Sequence, residues 1–83
     1  MSLAAMVINP EQCRAARAWL DWKQEDLSRG AGISMSTVRE FEKGRRTPMA
    51  NNAKAMIAAI ERAGLRLTFS SSGAPKGVEK KDS

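Results

Sequence analysis

Ser36, Arg39, Glu40 and Lys43 recur at intervals of one, three and four along the stretch S-M-S-T-V-R-E-F-E-K-G, residues 34–44. On a helix this spacing gathers them on one side and leaves Val38, Phe41 and Glu42 on the other. The chemistry of the polar side is hydrogen bonding to flat, polar edges. Arg39 carries a guanidinium able to meet guanine O6 and N7 together. Glu40 can accept from cytosine N4, or orient Arg39 by a hydrogen bond. Met35 can touch a thymine methyl, and Met35, Ser36 and Thr37 open the helix, the end that reaches bases. A short helix with its apolar side pinned and a donor-rich side turned outward suits the major groove of duplex DNA. Lys43, Arg45 and Arg46 are placed to take phosphates, which give affinity while base edges give choice.

The elements that must hold this helix are legible around it. Leu27, Gly30 and Ala31 give the preceding helix an apolar or small face. Gly32 can adopt the left-handed conformation that ends a helix without a Cβ clash. Ser34 follows as the N-cap of the next helix. Ile33 before the cap and Val38 after it stand at the spacing of a hydrophobic staple. Gln24 begins the first helix of the pair. From a helix N-terminus, whose partial positive charge favours anions, it can hydrogen-bond a phosphate.

This part of the chain resembles a family: the helix-turn-helix of the Cro and phage-repressor group, the Xre-like transcriptional regulators. The resemblance runs from about Asn9 to about Gly64. It rests on R-x6-Q-E-x-L at Arg17, Gln24, Glu25 and Leu27, on A-G-I-S at residues 31–34, and on S-T-V-R-E-F-E-K-G at residues 36–44, followed by Arg45, Arg46 and Pro48. That set in that order is specific, where the glycine turn alone is weak. The resemblance implies an all-α, lambda-repressor-like domain of four helices. It also implies a glutamine at position 24 on the DNA backbone, and an Arg17–Glu42 pair tying the first helix to the end of the recognition helix. Lys23 departs from the pattern. It stands where Ser or Thr is usual and cannot accept the orphan N–H bonds, which weakens that helix start by up to about 1 kcal/mol. Glu25 and Asp26 in the first turn compensate through the helix dipole. Lys23 reads alternatively as a phosphate contact.

Taken in order, residues 1–8 form a weakly apolar, uncapped N-terminal segment that either frays or brings Val7 and Ile8 onto the core or a partner. Asn9-Pro10 starts a helix, with Gln12 three residues on as in a capping box. That helix runs to Leu20 or Asp21, and Cys13, Ala16, Arg17 and Leu20 line one face. Arg17 on an apolar stripe needs a partner. Glu42, inward on its own helix, is the natural one, the alternative being an Arg17 that snorkels to solvent. Trp22 and Leu27 repeat the staple spacing. Trp19 reads as core or, if exposed, as a packing surface for the tail or a second subunit. Cys13 reads as a small buried apolar residue, since there is no histidine or second cysteine to activate it.

A further helix is predicted from Met49 or Ala50 to about Ala63. Ala53, Met56, Ile57 and Ile60 form its apolar face, and Gly64 is the glycine past its end. Residues 9–64 thus read as the DNA-binding domain. Residues 65–83 read as a C-terminal strand or hairpin and a polar tail. Leu65, Leu67 and Phe69 alternate with polar residues. Residues 71–77 form a loop, Val78 to Lys80 a weak second strand, and residues 80–83 a disordered tail. The strand must pair within the chain or with another subunit.

The chain has 83 residues, one cysteine and a formal net charge of +5, with a sequence pI of about 10.0. A small core of this size is commonly supported by oligomerisation. The charge favours a polyanionic partner. No run approaches the roughly 20 apolar residues of a membrane span, and no secretory signal is expected. A single cysteine fits a reducing cytoplasm, and a DNA-binding role would make the protein nucleoid-associated there. With no histidine, no P-loop, no paired-carboxylate pocket and no cysteine cluster, neither catalysis, nor a metal, nor a cofactor is expected. The expected partner is double-stranded DNA, met as a homodimer, for repression or activation by occupancy. The competing reading is an antitoxin or protein-interaction module whose residues 65–80 bind a partner protein. An RNA-binding surface lacks its stacking aromatics.

Overall fold

The computed structural model describes residues 7–81. Six residues of the predicted N-terminal segment, 1–6, and the last two of the tail, 82–83, lie outside them. Four helices are followed by a hairpin: α1 (Pro10–Leu20), α2 (Gln24–Ala31), α3 (Met35–Glu42), α4 (Ala50–Arg62), β1 (Leu65–Phe69) and β2 (Pro75–Lys80).

Local chemistry sets most of the boundaries. Asn9 caps α1: its side chain accepts from the Gln12 N–H at 2.7 Å, and Gln12 Oε1 accepts from the Asn9 N–H at 3.2 Å. Pro10 fills the first helical position, where its missing N–H leaves nothing unsatisfied. The chain leaves α1 through Asp21, which adopts φ +57° although it is not glycine. The Trp22 N–H then closes back on the Arg17 carbonyl at 2.8 Å. Past α4, Gly64 takes φ +105°, and its N–H bonds the Glu61 carbonyl.

The core draws on all four helices and β1, and Val78 of β2 packs half-buried against it. Ile8, Cys13, Ala16, Leu27, Val38, Phe41, Met56, Ile60, Leu65 and Leu67 belong to one buried cluster. Leu27, Met56 and Ile60 are fully enclosed. Burying each such side chain contributes about 1.5–3 kcal/mol. Ala59 rather than Ile57 completes the most buried face of α4. Ile57 sits at its edge, half-buried.

The hairpin is antiparallel, with Leu65 opposite Lys80 and Leu67 opposite Val78. Its register slips between Thr68 and Phe69, so that Phe69 faces Pro75. The second strand therefore begins three residues earlier than its composition suggests. Proline is tolerated there because the first residue of a strand needs no ladder N–H. The loop shrinks to residues 70–74, closed by the Ser70 N–H on the Ala74 carbonyl at 2.8 Å. Lys80, read as the end of the second strand and the start of the tail, belongs to the strand, and Lys81, expected in the disordered tail, is held. Lys80 pairs with Leu65, and the Lys81 N–H bonds the Gly64 carbonyl. β2 packs on α1 and β1 on α4. The buried Gln12 amide donates to the carbonyls of Thr68 (2.9 Å) and Gly77 (3.0 Å), tying the hairpin to α1.

Candidate nucleic-acid interface

α2 and α3 are joined by a turn of three residues. Gly32 takes φ +70°. The N–H groups of Gly32 and Ile33 both return to the Ser28 carbonyl, and Ser28 Oγ donates to the Ile33 carbonyl. Ser34 then caps α3, its Oγ accepting from the Thr37 N–H at 3.1 Å. Ile33 packs against the same core that encloses Val38. The entry to α3 is thereby fixed on both its polar and its apolar side.

The end of α3 is equally defined. The Gly44 N–H bonds the Phe41 carbonyl at 2.9 Å, and the Arg45 N–H bonds the Glu40 carbonyl at 3.0 Å. Gly44 takes φ +75°. This pair of bonds is a Schellman closure. It satisfies the terminal carbonyls and turns the chain so that Arg45 and Arg46 follow the helix as an exposed loop. The Arg14 guanidinium reaches the same end and donates to the Glu42 carbonyl.

Against the body of the protein α3 buries Val38, Phe41 and Glu42. Away from it Ser36, Arg39 and Lys43 are exposed, with Arg45 and Arg46 beyond them. Met35 is 38% exposed. Thr37 and Glu40 are half-buried. The Thr37 hydroxyl lies 2.8 Å from Ser34 Oγ, and that of Ser36 lies 3.2 Å from it, so both hydroxyls are engaged around the cap. No hydrogen bond joins Glu40 to Arg39 among the described residues. Among the same residues Arg39, Lys43, Arg45 and Arg46 form no ion pair, whereas Arg17, Arg29 and Arg66 do. The outer face therefore presents cations whose charge is not cancelled locally.

Behind this face lies the Glu42 carboxylate. Arg17 meets it with two teeth, Nε to Oε2 at 2.6 Å and Nη2 to Oε1 at 2.7 Å. Gln24 Nε2 donates to Oε1 at 3.0 Å, and the Cys13 thiol donates to Oε2 at 3.0 Å. Burial alone would raise the Glu42 carboxyl. The hydrogen bonds from Arg17, Gln24 and Cys13 outweigh it and hold the group below the usual carboxylate range. The hydrogen bond to Glu42 pushes the Arg17 guanidinium further up. Burial first, and then the hydrogen bond to Glu42, pushes the Cys13 thiol well above its ordinary value. Cys13 is thus a protonated donor inside the core.

At the start of α2, the Lys23 side chain makes no cap, as expected of a group that only donates. Asp26 supplies half of the missing arrangement by accepting from the Lys23 N–H at 2.8 Å. Gln24, read from the sequence as a phosphate donor, commits one amide hydrogen to Glu42. Sequence reasoning missed Arg14 at the end of α3 and the Gln24–Glu42 bond. Both join residues 18 or more apart in sequence, and no local pattern encodes them.

Among the described residues no helix is long and apolar enough to cross a membrane, and no cluster of metal-ligating side chains occurs. No curated protein matches the chain. A family model described as helix-turn-helix matches residues 14–63, well over half of it. The match spans the last two turns of α1, the α2–turn–α3 unit, the basic loop and α4. The chain belongs to the Cro and phage-repressor-type (Xre-like) helix-turn-helix family of DNA-binding regulators.

Proposed function

We propose that this protein is a dimeric transcriptional repressor that binds duplex DNA sequence-specifically, in the lambda-repressor-like manner, by inserting α3 into the major groove. The observation that carries the reading is the outer face of α3, where Arg39 and Lys43 are exposed and free of ion pairs while the opposite face is enclosed. Arg39 reads guanine, and Met35, Ser36, Thr37 and Glu40 line the approach to neighbouring bases. Lys43, Arg45 and Arg46 take phosphates beyond the helix, and Gln24 takes one at the start of α2. Lys23 adds a phosphate contact beside it.

Two copies on a symmetric operator set half-sites about 34 Å apart. Trp19, 55% exposed on α1, offers a packing surface for the tail or for a second copy. The competing reading, a partner protein on residues 65–80, requires that segment to stay loose. Here its strands pair with each other and bury Leu65 and Leu67. A regulator of this kind works on the nucleoid. The test is a gel-shift series at two salt concentrations. The protein shifts duplex DNA, and Arg46→Ala weakens binding to all sequences and lowers the salt slope by about one. Unchanged affinity and slope would refute the docking.

A further inference from the structure

A carboxylate offers about four lone-pair positions, and four donor contacts fill those of Glu42: two from Arg17, one from Cys13 and one from Gln24. Cys13 is fully buried and Arg17 is largely so. Gln24 differs from both. It is half-buried and stands at the first position of α2, where the helix meets solvent. A carboxamide facing a charged oxygen has one orientation open to it. Its NH2 must point inward, because the flipped amide would set Oε1 against Glu42 Oε1. One Nε2 hydrogen is consumed in this way. The other, fixed in the amide plane, is turned away from Glu42.

We propose that Glu42 is a positioning residue for the DNA backbone: it holds the Gln24 carboxamide so that the second Nε2 hydrogen is presented, at the positive end of α2, to a phosphate oxygen. The inference rests on the DNA-binding reading above and gives the buried carboxylate a role beyond pairing with Arg17. A free glutamine loses rotamer freedom when it makes such a contact, and one already held does not. The contact is neutral, so it strengthens binding without releasing a counterion.

Two measurements on the full chain test this, using a duplex recovered by selection from random sequences. The first follows the Gln24 side-chain amide by NMR in the wild-type protein. In the free protein the Nε2 proton bonded to Glu42 is displaced from the position of a solvated glutamine amide. On adding duplex one stays in place and the other shifts. The second compares Gln24→Ala in two backgrounds: wild type, and Arg17→Met/Glu42→Leu, whose apolar pair of similar bulk keeps the helices apposed. In the wild-type background Gln24→Ala weakens binding about tenfold, the size of a hydrogen bond to a charged group. In the apolar background the loss falls below about threefold, and in neither does the salt slope change. Both amide protons at the positions of a solvated glutamine in the free protein, or equal losses in both backgrounds, would overturn the positioning role while leaving DNA binding intact. A wild-type protein that selects no duplex would overturn both. If the apolar double variant does not fold, the NMR result alone decides.

Discussion

Arg17 and Glu42 meet edge to edge, Nε on Oε2 and Nη2 on Oε1, with the Glu42 side chain 3% and the Arg17 side chain 20% exposed. The two residues lie on α1 and on the last turn of α3, so this contact fastens the first helix to the end of the outward-facing one. Desolvating such a pair is costly, and its presence alone is a weak argument for stability. Removing one partner is different, because the other charge is left enclosed. Glu42→Ala is therefore expected to destabilise by about 3–5 kcal/mol. Glu25→Ala, which breaks a surface pair with Arg29, is expected to destabilise by about 0.5 kcal/mol or less. Thermal melts of the two variants decide the matter, and equal shifts would remove the claim that this pair holds the helices together.

The same carboxylate makes stability depend on pH. Its pKa is lowered in the folded state by Arg17, Gln24 and Cys13 against the opposing effect of burial. The folded state therefore binds the Glu42 proton less readily than the unfolded one. Its contribution is complete above the unfolded value of about 4.3 and is lost as pH falls through the lower folded value. Urea melts from pH 7 to pH 3 are expected to show the gap between wild type and Glu42→Gln narrowing below about pH 4.5. A gap that stays constant to pH 3 would contradict this assignment.

Two helix termini carry correctable faults. Asp21 holds φ +57°, a conformation glycine adopts at little cost. Asp21→Gly is expected to stabilise by about 0.5–1 kcal/mol. Lys23 leaves the start of α2 without a side-chain acceptor. Lys23→Ser is expected to add about 0.5–1 kcal/mol through a new cap. If Lys23 also touches phosphate, the same variant binds DNA more weakly and with a smaller salt slope. Denaturant melts and binding curves separate the two effects.

Cys13 is enclosed and its thiol is held protonated by burial and by Glu42. A thiol-specific reagent is expected to label the native protein only through opening of the fold, and to label the urea-unfolded chain at the rate of an ordinary cysteine. Rapid labelling of the folded protein would mean that the Cys13–Glu42 contact is not formed.

The parts of this fold that were legible in the sequence are those whose chemistry is local. Asn9-Pro10, Gly32, Ser34 and Gly64 each set a helix boundary through bonds reaching no more than five residues. The exposed row of Ser36, Arg39 and Lys43 followed from helical spacing alone. The start of β2 at Pro75 did not, because the pairing register with β1 decides it, and a sequence beginning with proline reads as loop. Asp21 gave no warning of a left-handed backbone, since its conformation is imposed by the return of Trp22 to Arg17. Gln12 was legible as a capping residue but not as the tie between α1 and the hairpin, since the carbonyls it bonds lie 56 and 65 residues away. Gln24 was legible as a helix-start donor, and its commitment to Glu42 was not.

The most direct test of the whole account is selection of binding sites from random duplexes by the wild-type protein and by Arg39→Ala. The wild type is expected to recover a motif with a well-determined guanine, its half-sites about one helical turn apart. Arg39→Ala is expected to lose the preference at that one position, worth about 1–3 kcal/mol, while keeping the remainder of the motif. If the wild type recovers no motif, or if Arg39→Ala recovers the same one unaltered, α3 does not read base edges through its exposed face.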